Sequence, residues 1–321
     1  MDNRRIINIC RFNAETIAYF DEKAKEFDFI VDHIPLPSRS EEDVIKTMKG
    51  YAAVIAGSGE QYTRSAISAL IPELKAIMRF GVGYDNIDTK AARELGVAAM
   101  IAAGGNAAAV AEQALTLMLA IGRHICRFDK EMHEGKWSPR VGVQLEGKTV
   151  GLVGFGRIGR ILAEYLSGFK CKLIVVDDYI DDAALAAYGA VRATLDEIAA
   201  ESDYVSLHAP LSDETRGMID KAFLSKMKPT AFLINTSRGP VVNENDLIEA
   251  LANNVIAGAG LDVFVKEPLQ EVSGFRDLDN VILAPHAAYN TREANLLSVK
   301  IMIENLSKLF NGQPCDGIVN L

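Results

Sequence analysis

Three segments of the chain end in residues able to handle anions and protons: Asn235-Thr236-Ser237-Arg238-Gly239, Gly260-Leu261-Asp262-Val263-Phe264-Val265-Lys266-Glu267-Pro268 and Ala284-Pro285-His286-Ala287-Ala288. Arg238 carries a planar guanidinium whose fork matches a carboxylate and which stays charged. His286 has an imidazole that exchanges its proton near neutral pH. Glu267, placed beside an imidazolium, favours the charged ring and fixes its orientation. The three groups answer the three demands of reducing a 2-keto acid: a cation for the carboxylate and keto oxygen, a proton for that oxygen, and a donor that is protonated near neutrality. Taken singly, each has a plainer reading as a surface charge, a turn or a satisfied loop residue. Their joint position behind a dinucleotide motif is what gives them chemistry.

That motif is Gly154-Phe155-Gly156-Arg157-Ile158-Gly159, entered from the apolar run Thr149-Val150-Gly151-Leu152-Val153. Gly154 permits a tight turn, Gly156 lets backbone N–H groups approach a pyrophosphate, and Gly159 allows close helix–strand packing. The helix that follows supplies N–H donors and a positive dipole to phosphates. The next strand ends in Asp177, at the distance where a carboxylate takes the adenosine ribose hydroxyls, with Asp178 as an adjacent alternative. A carboxylate there repels a 2′-phosphate, so the expected cofactor is NAD rather than NADP.

Both sets of residues need elements to hold them. The first hundred residues alternate strand-like runs (6–10, 52–56, 75–80, 97–101) with helical patterns (13–26, 41–48, 63–70, 89–95), the signature of a parallel sheet built from βαβ units. The spacing predicts one long, mostly apolar helix over 106–128, then a loop from Gly135 to Gly147 containing Trp137 and Arg140. A second alternating series follows, with strands at 149–153, 172–176, 204–207, 231–235, 257–262 and 281–283. It includes a Thr194-x-x-Glu197 capping box. An amphipathic helix over 291–310 closes the chain. The expected halves are 1–103 and 104–290, and periodicity leaves open which one the last helix joins. All three proton-handling segments end strands of the second half, where open α/β sheets bind ligands.

The bulk numbers narrow the classes further. A 321-residue chain with a net charge of −9 lacks the wide basic surface that nucleic acid or an anionic membrane would need. Its four cysteines are scattered and match neither a zinc site nor a disulfide framework, so a reducing, cytoplasmic setting is expected. No targeting or membrane segment is expected, and no metal. His33, His124 and His133 read as structural or surface residues, and His208 as a backbone neighbour of the cofactor. Trp137 and Arg140 read first as a packing anchor with a solvated charge, and secondarily as a cap over substrate. Asp181 and Asp182 read as helix N-terminal charge.

From Gly81 onward the chain resembles the D-isomer-specific 2-hydroxyacid dehydrogenases. The likeness rests on Gly81-Val82-Gly83-Tyr84-Asp85-Asn86-Ile87-Asp88, Val110-Ala111-Glu112, the glycine motif, His208-Ala209-Pro210 with Thr215, and the three strand-end segments. The resemblance implies Arg238, Glu267 and His286 as the catalytic trio, with Val82 and Gly83 offering N–H groups to the substrate carboxylate. It implies that Asp262 sits by the nicotinamide carboxamide, that Ala209, Thr236 and Ser237 line the cofactor, and that Arg157 and Ile158 lie at its pyrophosphate. It further implies a Rossmann domain (104–290) inserted in a flavodoxin-like substrate domain (1–103 with 291–321), hinges near 102–106 and 288–292, and a homodimer formed through the NAD domain. Two departures stand out. Ala287-Ala288-Tyr289-Asn290 follows the histidine where phosphoglycerate dehydrogenases often carry glycines. Gly57 stands where such members often place an arginine, which argues against a phosphorylated substrate. The chain also stops at Leu321, without the regulatory extension of the longer members.

Overall fold

The computed structural model describes residues 4–320; residues 1–3, the start of the expected N-terminal segment, and Leu321 at the chain's end lie outside the described residues. The chain divides into two compact units, 1–106 with 289–321 and 107–288.

The first unit contains β1 (Arg5–Asn8), α1 (Ala14–Glu26), β2 (Ile30–His33), α2 (Glu41–Met48), β3 (Ala53–Ala56), α3 (Arg64–Leu70), β4 (Ala76–Arg79), α4 (Thr89–Glu94) and β5 (Ala98–Ile101). Its five strands run parallel in the order β2-β1-β3-β4-β5, the flavodoxin-like arrangement. β3 and β4 are buried at every position, as strands covered on both faces must be. Asn13, Ser40, Thr63 and Asp88 cap the four helices through side-chain oxygens.

The second unit begins with α5 (Ala107–Gly122) and α6 (Ile125–His133). It continues through β6 (Thr149–Val153), α7 (Arg157–Ser167), β7 (Lys172–Val176), α8 (Asp182–Ala186), β8 (Ala190–Arg192), α9 (Leu195–Glu201), β9 (Tyr204–Leu207), α10 (Lys221–Lys226), β10 (Phe232–Asn235), α11 (Glu244–Ala252), β11 (Gly258–Leu261) and β12 (Val281–Leu283). Seven parallel strands lie in the order β12-β11-β10-β9-β6-β7-β8, a Rossmann sheet with one added edge strand. Strand order reverses between β6 and β9, so a crevice opens at their carboxyl ends.

The last helix, α12 (Arg292–Phe310), belongs with the first unit. Val299, Met302, Ile303 and Leu306 are fully buried and join a core with Ile6, Phe20 and Met78. Truncating one such leucine to alanine costs about 2–5 kcal/mol. Among the described residues no helix is long and apolar enough to cross a membrane.

Three expectations change. The helix over 106–128 is two helices, broken where His124 takes a left-handed conformation (φ 57°). Gly122 makes the break close-fitting: a Cβ there would lie 2.4 Å from Tyr204 Oη, and its carbonyl accepts the Val143 N–H at 2.7 Å. β2 and β8 are strands that the apolar pattern did not announce. Trp137 is 83 % exposed, so it is not a packing anchor among the described residues. Arg140 is not simply solvated, because it forms a two-pronged pair with Glu131 at 2.6 and 2.8 Å. That pair, with help from Arg127, holds the Glu131 carboxyl down at about 2.

Candidate active site

The turn from β6 into α7 is built around its glycines. Gly154 has φ +94°, and a Cβ on it would lie 2.7 Å from Ala209 N and 2.8 Å from His208 C. A Cβ on Gly159 would lie 2.7 Å from Gly154 O, so helix and strand touch there. Gly156 is the opposite case: as the N-cap of the 11-residue α7 it has nothing within 4 Å of a Cβ, and no side chain caps the helix. Open space in front of uncapped N–H groups is what a diphosphate requires, and the residues present fit one.

Asp177, at the end of β7, accepts the Phe155 N–H at 2.7 Å and the Tyr179 N–H at 2.9 Å. It is half-buried while Asp178 is exposed, so Asp177 is the carboxylate fixed against the glycine turn. Past β9, Ala209 is buried beside Gly154. His208 shares a 2.9 Å hydrogen bond between Nε2 and Ser206 Oγ, and its Nδ1 is buried without a partner among the described residues. Burial pushes its imidazole down to about 4, so the ring is neutral at physiological pH.

Past β10, Asn235 organises the turn that carries Thr236, Ser237 and Arg238. Its side-chain oxygen accepts from Ser237 N at 3.0 Å and Ser237 Oγ at 2.9 Å, and its amide donates to Arg238 O at 3.0 Å. Thr236 Oγ1 is buried with no partner among the described residues, an orphan that a bound group would satisfy. Gly239 allows the loops after β10 and β11 to touch, since a Cβ there would lie 2.0 Å from Phe264 C. Arg238 is half-buried and its Nη1 donates to Ser237 O at 2.8 Å.

Glu267 Oε2 lies 2.7 Å from His286 Nδ1, and Oε1 accepts the Phe264 N–H at 3.0 Å. Burial raises the Glu267 carboxyl, but the His286 hydrogen bond and charge, the Phe264 N–H and the Arg238 charge together outweigh it. The net shift is downward, so the group is ionised at neutral pH. Nδ1 is thus the ring nitrogen that Glu267 engages. His286 itself has φ 53°, in the left-handed region that few non-glycine residues adopt.

Asp262 holds that conformation in place. Its backbone oxygen accepts the His286 N–H at 2.8 Å, and its carboxylate oxygens accept the Ala287 and Ala288 N–H groups at 2.9 Å each. The residue is fully buried. Asn235 and this clamp are positioning features that residue type and spacing did not disclose. Val82 and Gly83 are half-buried in the loop after β4 of the first unit.

A family model for the NAD-binding domain of D-isomer specific 2-hydroxyacid dehydrogenases matches residues 115–288. A D-3-phosphoglycerate dehydrogenase of Archaeoglobus fulgidus is 36% identical over 284 residues, covering 88% of this chain and 54% of that protein. The chain spans about half the length of this relative and of a second phosphoglycerate dehydrogenase from Synechocystis, at 54% and 51%. A glyoxylate reductase of Thermococcus litoralis is 41% identical over 258 residues, covering 78% of each chain. Among solved structures, D-lactate dehydrogenase of Aquifex aeolicus complexed with NAD and lactic acid superposes with a TM-score of 0.86 at 26% identity, over 99% of both chains.

Proposed function

The chain belongs to the D-isomer specific 2-hydroxyacid dehydrogenase family, and from that premise we propose that it reversibly reduces a small 2-keto acid to a D-2-hydroxy acid with NADH. The observation that carries the reading is the 2.7 Å pairing of Glu267 with His286, on strand-end loops adjoining that of Arg238 and in the same sheet as the glycine turn. NADH, when bound, supplies a hydride to the keto carbon. Gly154, Gly156, Arg157, Ile158 and Gly159 hold its diphosphate, Asp177 its adenosine ribose, and Ala209, Thr236 and Ser237 its remaining surface. Arg238 grips the substrate carboxylate and polarises the keto oxygen. His286 gives that oxygen a proton from Nε2, and Glu267 stabilises the imidazolium beforehand. In the oxidative direction His286 takes the hydroxyl proton back. Asp262 keeps the His286 loop in register, and Val82 and Gly83 offer N–H groups to the carboxylate.

Glyoxylate or hydroxypyruvate suits the chain better than a phosphorylated acid. Gly57 offers no cation, and a Cβ at that position would lie 3.2 Å from the Glu60 carboxylate. We further assign the protein to the cytoplasm as a homodimer formed through the second unit. Ile125, Met132, Trp137 and Val141 are exposed apolar side chains on that unit, and sedimentation analysis checks the assignment. The reaction itself is tested by NADH oxidation with glyoxylate, hydroxypyruvate, pyruvate, branched 2-keto acids and 3-phosphohydroxypyruvate, repeated with His286→Ala. Turnover lost in the variant, with NADH binding retained, supports the trio. Silence of the unaltered protein across the panel despite tight NADH binding refutes the enzymatic reading in favour of a dinucleotide-responsive binding module.

A further inference from the structure

Arg79 is an arginine where a buried parallel strand has no evident use for one. It is the last residue of β4, 5 % exposed, in a strand otherwise made of Ala76, Ile77 and Met78. Burying a guanidinium is costly unless its donors are satisfied. Here they are spent on backbone carbonyls: Nε donates to Gly83 O at 2.8 Å, and Nη1 to Ala56 O at 3.0 Å and Phe80 O at 3.1 Å. Two of these acceptors belong to the segment that turns through Gly81 (φ +126°) into Val82 and Gly83. The Gly81 carbonyl is taken by the Ala102 N–H at 3.1 Å, and the Tyr84 carbonyl by the Ile87 N–H at 3.0 Å.

The carbonyls of residues 80, 81, 83 and 84 are thus all held within the first unit. In a trans peptide C=O and N–H point in opposite directions, so the inward carbonyls of Phe80 and Gly81 turn the N–H groups of Gly81 and Val82 outward. The N–H groups of Gly81, Val82 and Gly83 have no backbone acceptor among the described residues. A run of unspent N–H groups over a buried guanidinium is an anion-binding concavity.

We infer that Arg79 is the positioning residue of this carboxylate-binding loop, fixing its carbonyls from beneath and lending it positive potential. The inference rests on the assignment of Val82 and Gly83 to the substrate carboxylate. A second buried layer supports the arginine. Asn86 donates to Gly57 O at 3.1 Å and Glu60 O at 2.8 Å, tying the far end of the loop to the end of β3. Glu60, 4 % exposed, receives the Tyr62 hydroxyl at 3.2 Å. Only a forked, permanently charged group reaches three carbonyls at once, so lysine is not an equivalent.

The test compares the full-length protein with Arg79→Lys. Kinetics are measured on the best 2-keto acid of the panel and on its uncharged methyl ester, with NADH affinity and Tm alongside. The expected result is a KM for the acid raised about tenfold or more, the loss of one good hydrogen-bonded contact. The ester and NADH affinity stay within about twofold of the unaltered protein, because neither uses the carboxylate loop. Arg79→Gln, which keeps donors without the charge, gives the same split if the lysine variant fails to fold. An unchanged KM, or equal losses for acid, ester and NADH, overturns the inference while leaving the proposed reaction standing. A silent unaltered protein sinks that reaction, and this inference with it, before any variant is made.

Discussion

Replacing Glu267 by glutamine should harm turnover more than replacing it by alanine. Oε1 accepts the Phe264 N–H at 3.0 Å while Oε2 faces His286 Nδ1 at 2.7 Å. An amide in this position must keep its oxygen toward Phe264, which presents a donor, and so turns its NH2 toward the imidazole. That NH2 only donates. It suits a neutral ring with a bare Nδ1 and opposes the imidazolium that reduction requires. Flipping the amide merely moves the conflict to the Phe264 N–H. A hydrogen bond to a charged group contributes about 1.5–3 kcal/mol, and a buried donor left facing a donor costs about 1–3 kcal/mol more. Alanine forfeits the first contribution alone, since water takes the Nδ1 proton, which amounts to about 10- to 150-fold in kcat. Glutamine forfeits both, for a loss on the order of 10²- to 10⁴-fold. The assay is pre-steady-state NADH oxidation across neutral pH, where the depressed Glu267 carboxyl of the unaltered protein is ionised. NADH affinity is followed by fluorescence. A glutamine variant equal to or faster than the alanine variant would refute the reasoning.

Other outcomes follow from the cofactor turn and its surroundings. Asp177→Ala removes the acceptor of two backbone N–H groups and should weaken NADH binding about tenfold or more while raising the NADPH:NADH ratio of kcat/KM. An unchanged ratio removes Asp177 from ribose recognition. Gly154→Ala places a Cβ within 2.8 Å of the His208–Ala209 backbone at a positive φ, and should lower Tm and abolish tight NADH binding; normal binding would contradict the turn as described. For His208, burial takes the folded-state value down to about 4 from 6.5, so the unfolded chain binds the proton more readily. Stability is therefore complete above pH 6.5 and falls as pH drops toward 4, by up to about 3 kcal/mol. In denaturant titrations His208→Gln should flatten that slope, and an unaltered slope would mean that another group is responsible.

The sequence disclosed those parts of the molecule whose signals are local. β9, β10 and β11 are short apolar runs because both their faces are covered, and such runs stand out between turn residues. Gly154 and Gly159 advertise a turn and a close approach that a side chain would block, and Gly156 an open helix N-terminus. β2 and β8 escaped notice because each borders one neighbour at a sheet edge and leaves most of its side chains in partial contact with solvent. No proline marks the division of α5 from α6. It is enforced by the packing of Gly122 against Tyr204, distant in sequence. Asn235, Asp262 and Arg79 could be seen as residue types, but their work depends on which backbone groups they reach. Residue spacing carries no record of those partners, so the candidate acid–base pair was legible and the scaffold that aims it was not.

Asp262, Glu267 and His286 all lie in the stretch from the end of β11 to the loop that follows β12, and their bonds cross-link that stretch to itself. The Glu267–His286 pair is therefore held in one mutual alignment by bonds within a single stretch of chain. Substitutions elsewhere in the molecule leave the aim of the imidazole untouched as long as those bonds stand.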